Sequence, residues 1–389
     1  MLPGEFPLPE WIVACPGDIV NRLFGHLGTL YDQGFARSYG QLLREIQLRW
    51  CLEHRGRLRC PRCGGTALIR KGWRSRVLRT SRGSLHLEVV QMRCKACGRT
   101  FRPANAVVGL PFERRFLDEL VEKAIGLGIQ MPFGRASRIM KALLADAPSP
   151  EGLRGQIAAR AAALSPCDDV ADKTVLVDST RVKAGDNPRG SAVHLAITAV
   201  VGPEVAGRPT IDKRLVHLHV GDSEGLRQRL LELPIERLVH DGGINLEACA
   251  RRVQRCRWHL VHQLEHYLWQ DGLKVAHRRL YQDRLQAMLW HNSPRAPVAL
   301  DGFIKELQHD GFRQSAEHLK NAQPQTFTWQ SDKGFAFTTT APLEREMREL
   351  NRRADVGARW TNRGIENVLK VLFHYRLNEN PTVPLRAYQ

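Results

Sequence analysis

Two short motifs, Cys60-Pro-Arg-Cys63-Gly64 and Cys94-Lys-Ala-Cys97-Gly98, constrain what this chain of 389 residues can fold into more than any other feature. Each sets two thiols three residues apart. The glycine behind each permits the positive φ that a tight loop around a cation requires. Two such loops supply the tetrahedral sulfur set that zinc prefers. The other cysteines, 15, 51, 167, 249 and 256, bring the total to nine, and an odd number argues against a disulfide framework. Between the pairs lie 30 residues that read as extended chain: Ser75 to Thr80, a Ser-Arg-Gly-Ser turn, then Leu85 to Met92 with partial alternation. The expectation is a zinc ribbon over residues 55–103, a hairpin stapled by structural Zn²⁺.

The charge is concentrated in the same place. The chain carries 58 Lys+Arg against 40 Asp+Glu, a formal net charge of +18. From Arg55 to Arg102 there are fourteen Lys/Arg and one acid, Glu88, a net +13 in 48 residues. An excess of this size points to a polyanion as partner, and nucleic acid comes first. A module this basic must carry its arginines outside, so Arg70, Lys71, Arg74, Arg76, Arg79 and Arg82 are the expected DNA-phosphate contacts. A zinc that merely staples the module is compatible with that role. Hydrophobic residues make up 43% of the chain, enough for real cores and against disorder throughout. The longest apolar run, Ala192 to Gly202, is strand-sized and interrupted by His194, so no membrane span is expected. The opening MLPGEFPLPEW has neither the basic nor the long apolar region of a secretory signal, and the expected site of action is the cytosol.

Helices flank the basic segment. Residues 1–54 read as a small helical region (Ile19 to Leu30, Tyr39 to Leu52) with no role that the sequence assigns. Over residues 104–165 the pattern predicts three short helices: Glu113 to Leu127 with apolar residues at three-four spacing, Gly134 to Ala145, and a third opened by Ser149-Pro150 and running to Leu164. With Arg154 and Arg160 on the last, the trio resembles a helix-turn-helix; the plainer alternative is a linker bundle.

From Lys173 the pattern changes to strands. Thr174 to Asp178, Ala192 to Val201 and Lys213 to Val220 are strand-like; a helix follows over Ser223 to Leu231, then a strand over Ile235 to His240 ending in Asp241-Gly242-Gly243. An acid on the first strand and another ending the fourth is the order of an RNase H-like fold, whose first and fourth strands are neighbours. Converging carboxylates of Asp178 and Asp241 would bind Mg²⁺ or Mn²⁺ by oxygen ligation. Taken singly, either acid reads better as an ordinary turn residue; the strand order and the basic N-terminal half favour the metal reading. Ile244 to Gln254 reads as an amphipathic helix.

At Cys256-Arg-Trp-His259 the chain resembles a known family, the Mutator-related insertion-sequence transposases of bacteria, whose DDE catalytic domain carries Cys-x-x-His after the second Asp. Thr338-Thr-Thr-Ala-Pro-Leu-Glu344-Arg-Glu-Met-Arg348 and Gly357-Ala-Arg-Trp360 resemble further segments of that family, and the likeness covers most of residues 56–375. The resemblance implies a DNA transposase with a catalytic and magnesium-binding triad of Asp178, Asp241 and Glu344. It implies an RNase H-like domain in two parts, residues 166–259 and 336–389, around an all-α insertion at 260–335. Its partners would be the double-stranded DNA of element ends and target. Synapsis of two ends implies a homodimer or larger assembly, and the location implied is cytoplasmic, on the nucleoid when bound to DNA. Within the insertion, helices are expected over Leu260 to Leu289, Val298 to Gln308 and Gln314 to Asn321. Trp258, Trp269 and Trp290 are expected mainly in cores, with stacking on unpaired bases as the alternative use. Cys256 and His259 alone cannot complete a zinc site, even with His262 and His266 near, and read as active-site support or packing. Glu366 competes with Glu344 as third acid. Two other functions stay open: a non-cutting DNA-binding protein derived from a transposase, and an RNase H-like nuclease that cuts without joining.

Overall fold

The computed structural model describes residues 19–54, 56–103, 115–144, 146–165, 167–205 and 208–379. The chain is mixed α/β and divides into two compact units, one running to Leu127 with Phe133–Leu153, the other comprising Gly128–Pro132 and everything from Arg154 onward. The N-terminal MLPGEFPLPEW, Cys15 and the expected helix start at Glu113 lie outside the described residues. No helix among the described residues is long and apolar enough to cross a membrane.

The first unit is organised by one hairpin. Strands β1 (Leu68–Thr80) and β2 (Gly83–Cys94) pair antiparallel through the two-residue turn Ser81-Arg82, and β3 (Thr100–Phe101) adds to β2. Along β2, buried Leu85, Leu87 and Val89 alternate with exposed His86 and Glu88, so one face is committed to a core. That core joins Leu78, Leu85 and Leu87 to Ala36, Tyr39 and Leu43 of helix α1 (Ile19–Glu53). Truncating Leu87, which is 1% exposed, to Ala would cost roughly 2–5 kcal/mol. The two expected N-terminal helices are one continuous helix. Gln47 locks it to the sheet: its side chain donates to the Glu88 carbonyl at 2.9 Å and accepts from Val90 N–H at 3.2 Å. Helices α2 (Asp118–Gly128), α3 (Phe133–Leu143) and α4 (Pro150–Ala163) follow. Ser149 opens α4 as its sequence predicts, accepting from Gly152 N–H at 3.1 Å.

The second unit is built on a five-stranded sheet: β4 (Thr174–Val182), β5 (Ser191–Val205), β6 (Arg208–Val220), β7 (Arg237–His240) and β8 (Arg252–Arg255), in spatial order β6-β5-β4-β7-β8. The first three strands are antiparallel; β7 and β8 join β4 in parallel, with helix α5 (Glu224–Leu231) as crossover. Odd-numbered Val175 and Val177 face a core with Leu226, Leu230 and Leu238. The even-numbered face of β4 therefore receives other elements.

The expected helix over Ile244 to Gln254 is instead a single 3₁₀ turn, Glu247–Cys249, followed by edge strand β8. Pairing with β7 decides this, because alternation suits a half-buried strand: Val253 packs on the core while fully buried Gln254 donates to the Thr326 carbonyl at 2.8 Å. Four helices come next, α6 (Arg257–Gln270), α7 (Val275–Trp290), α8 (Ala296–His309) and α9 (Arg313–Thr326), around a core of Leu264, Leu285, Phe303 and Leu319. The single helix expected from Leu260 to Leu289 is broken at Gly272, whose φ is +85°, after which the chain reverses. Asp271 at that break accepts from the N–H groups of Gln314 and Ser315, capping α9. A short turn α10 (Thr328–Ser331) leads to α11 (Ala341–Ala354), which crosses β4, and α12 (Asn362–His374), which packs on β6.

Candidate functional site

In the first unit the four cysteines of the paired motifs form one cluster. The Sγ atoms of Cys60, Cys63, Cys94 and Cys97 all lie within 4.8 Å of one another, with Cys60–Cys97 at 3.5 Å and Cys63–Cys94 at 3.6 Å. A tetrahedral zinc with bonds of about 2.3 Å sets its sulfurs about 3.8 Å apart, so the cluster fits a structural metal of this kind. Both halves are built alike. Gly64 N–H donates to the Cys60 carbonyl at 2.9 Å and Gly98 N–H to the Cys94 carbonyl at 3.0 Å, with φ of +69° and +70° at the two glycines.

The six basic residues of β1 and its turn separate into two groups. Arg70, Lys71 and Arg74 are exposed. Arg74, Arg76 and Arg102 line a small cleft of about 170 Å³, a concave patch suited to an anion. Arg79 instead pairs with Asp146 at 3.5 Å, and Arg82 pairs with Asp32 at 3.5 Å while its guanidinium lies over the rings of Tyr31 and Phe35. Among the helix arginines, Arg160 donates to the Tyr375 hydroxyl at 2.7 Å, a packing role that leaves it a poor phosphate contact.

In the second unit the sheet register brings two acids together. Val177 of β4 stands beside His240, the last residue of β7, so Asp241 leaves the sheet at the neighbouring strand's end, one residue on from the partner of the residue before Asp178. The electrostatics agree. Burial, opposed by the charge of His259 and reinforced by that of Asp241, pushes the Asp178 carboxyl up to about 6. Asp178 accepts from Ser179 N–H at 2.8 Å, and Asp241 from Gly243 N–H at 2.9 Å. Gly242 is required where it stands: its φ is +87°, and a Cβ there would lie 1.3 Å from the Arg255 guanidinium.

Against this pair sits a hub that the sequence did not reveal as such. Thr340, 3% exposed, precedes α11 but does not cap it. Its hydroxyl lies 3.2 Å from His259 Nδ1, 3.4 Å from Asp178 Oδ2 and 3.5 Å from Cys256 Sγ, and its N–H donates to that sulfur at 3.3 Å. Burial raises the Cys256 thiol, but hydrogen bonding and charge from His259 outweigh it and bring it below its ordinary value. Burial works against the His259 imidazolium, and Cys256 together with the charges of Asp178 and Asp241 raises it above the usual range. Cys256 and His259 thus each favour the other's charged form, one hydroxyl away from Asp178. Thr340 sits beside expected Thr338 and Thr339; only its burial marks it as different.

The acids competing for the third place have distinct surroundings. Glu344, in the first turn of α11, has a side chain 63% exposed, with Arg348 at 3.8 Å. Glu366 accepts from Val220 N–H at 3.1 Å and pairs with Lys370 at 2.6 Å, which ties α12 to β6. Glu346 is buried between Lys213 and Arg376, each at 3.0 Å, and serves packing. Among the described residues the four cysteines are the one group of three or more His, Cys, Asp or Glu side chains near enough to share an ion. Trp258, Trp269 and Trp290, expected mainly in cores, are 45%, 58% and 44% exposed. The Arg257 guanidinium lies over the rings of Trp290 and Trp329, with centroids at 4.8 Å and 4.9 Å. Neither a scan against protein-family models nor a search of curated proteins returns a match for this chain.

Proposed function

We propose that the chain is a DNA transposase of the DDE type, in which a zinc ribbon contacts DNA and an RNase H-like domain cuts and joins it. The observation that carries the reading is the approach of Asp241, one residue past the end of β7, to Asp178 on the parallel neighbour β4, near enough for its charge to raise the Asp178 carboxyl, in a sheet whose spatial order is third-second-first-fourth-fifth. Two neighbouring carboxylates, one of them resisting ionisation through burial although the charge of His259 favours it, form a hard-oxygen donor pair of the kind Mg²⁺ or Mn²⁺ takes. Bound there, the divalent ions would supply Lewis-acid activation of water and charge stabilisation at the scissile phosphate.

The protein's own residues do the rest. Asp178 and Asp241 would hold the divalent ion by their oxygens, Asp178 fixed in β4 and Asp241 at the end of β7. Thr340 and the Cys256–His259 couple orient the Asp178 carboxylate. Glu344 starts a helix that crosses β4, where a carboxylate at the positive helix end can turn toward the pair. The exposed Arg70, Lys71 and Arg74 would neutralise DNA phosphates without reading sequence.

The test is strand cleavage and transfer with a DNA carrying the inverted repeats that flank the gene, in Mg²⁺ or Mn²⁺, against Asp178→Asn and Asp241→Asn. Cut 3′ ends that reappear joined to a target plasmid support a transposase. Cutting without joining means a nuclease, and tight binding with neither activity means a non-cutting DNA-binding protein.

A further inference from the structure

A cleft of about 500 Å³ opens against the Asp241 loop, walled by Gly242 and Arg255 at the end of the sheet, by Tyr267 on α6, and by Arg313, His318 and Asn321 on α9. Its volume falls within the roughly 300–1,000 Å³ of small-ligand pockets. Two buried nitrogens on its wall lack a hydrogen-bond partner. The Arg255 guanidinium lies flat against Gly242, is partly buried, and has an Nε with no hydrogen-bond partner. His318 is stacked on Tyr267 with ring centroids 4.2 Å apart and planes at 21°, and its Nε2 is likewise buried without a partner. Burial, and after it the nearby charge of Arg255, pushes His318 down to about 4, so this ring is a neutral donor–acceptor near neutral pH. Glu317 is the one acid on the wall, against two guanidiniums.

Guanidinium groups suit a phosphate, because their planar donors match its oxygens. A phosphate alone would leave the aromatic pair and the Asn321 amide unused. A neutral imidazole and an amide offer mixed donors and acceptors to a base edge, and a π-face accepts any base. We propose that this cleft receives one unpaired nucleotide of a DNA strand, its phosphate on Arg255 and Arg313 and its base against Tyr267, His318 and Asn321. Its biological meaning, a nucleotide drawn out of the duplex beside the cutting centre, rests on the function proposed above; the binding chemistry does not.

The experiment titrates the zinc-loaded full-length protein with 2′-deoxyadenosine 5′-monophosphate, deoxyadenosine and inorganic phosphate, followed by saturation-transfer NMR and calorimetry. The monophosphate should bind more tightly than either part. Arg255→Met and the surface change Arg313→Ala should each weaken it by about tenfold, the loss of a charge-assisted hydrogen bond. A duplex ending in a single unpaired 2-aminopurine should show its fluorescence quenched by the wild type and not by Tyr267→Leu. Asp178→Asn, which lies outside the cleft and should abolish cleavage, should bind the monophosphate as the wild type does, so a failed cutting assay and a failed cleft give different results. Inorganic phosphate binding as tightly as the monophosphate would reduce the site to an anion pocket and overturn the proposal. Unchanged monophosphate affinity in Arg313→Ala and Arg255→Met would place binding elsewhere and overturn it too.

Discussion

The four-cysteine site and the two-carboxylate site are assembled by opposite routes. Each half of the cysteine site is local: Cys60 to Gly65 and Cys94 to Arg99 fold back on themselves through the same pair of backbone bonds, and the hairpin needs only a two-residue turn to bring the halves together. The carboxylate site is entirely long-range. Asp178 and Asp241 meet because β7 pairs in parallel with β4, which demands a crossover through α5. The charges differ as well. In the cysteine cluster, backbone N–H groups and protons shared between sulfurs let the four gather, and they lower the Cys60 and Cys94 thiols in spite of burial. Carboxylates repel at once, and Asp178 registers that repulsion on top of its burial. A local site can be specified by its ligands; a long-range site has to be held by everything around it.

On a scale of stability, the largest expected effect is at the cysteines. Cys60→Ser or Cys94→Ser should release the metal and unfold the hairpin, because metal binding and folding are one equilibrium in such modules. Zinc content and near-UV circular dichroism measure it. Wild-type zinc content in both variants would show that the cluster is packing alone.

The second effect has the opposite sign. The Asp178 carboxyl titrates near 6 in the folded chain against an ordinary 3.8, so ionisation favours the unfolded state. The penalty is absent below the ordinary value, grows between that value and about 6, and is complete above it. Two units correspond to an order of 3 kcal/mol. In chelator, Asp178→Asn should therefore be more stable than the wild type near neutral pH, and the advantage should fade as the pH drops toward 4. Mg²⁺ should raise the melting temperature of the wild type and not of the variant. Equal urea midpoints for the two proteins at neutral pH would remove the case for a strained carboxylate pair.

This contrast explains what could be read from the sequence. The cysteine loops were legible because their whole geometry fits within six residues, down to the positive φ of Gly64 and Gly98. The strand order was legible because buried parallel strands carry continuous apolar runs, as Thr174-Val-Leu-Val does. Edge strand β8 was not: four residues between a turn and a helix carry too short a pattern, and pairing with β7 decided them. Thr340 was read among helix-capping threonines, yet its hydroxyl turns to Asp178, Cys256 and His259, partners supplied by two distant segments. The acids that Arg79 and Arg82 meet, Asp146 and Asp32, were not legible, because they are far away in the sequence.

The third prediction concerns Glu366. Replacing it by Gln keeps an acceptor for Val220 N–H but removes the charge facing Lys370 in a half-buried setting. The expected loss is about 1 kcal/mol, read from urea unfolding, with cleavage preserved once folding is allowed for. Inactivity of a fully folded Glu366→Gln protein would move the third acid to this helix.

The smallest effect on stability should come from Glu344, and that smallness is informative. Its side chain is 63% exposed, and its ion pair with Arg348 at 3.8 Å spans one helical turn at the surface. Such pairs contribute a few tenths of a kcal/mol, so Glu344→Gln should unfold almost as the wild type does. Buried Glu346 on the same helix, held by Lys213 and Arg376, is the acid whose loss the fold would feel. An acid that contributes so little to stability, at the start of a helix lying across β4, is available for chemistry in a way that Glu346 and Glu366 are not. Under the proposed function, Glu344→Gln therefore separates two readouts: DNA binding and the urea midpoint unchanged, strand cleavage lost. Cleavage at the wild-type rate by a folded Glu344→Gln protein would reduce this residue to its surface ion pair and leave Asp178 and Asp241 without it.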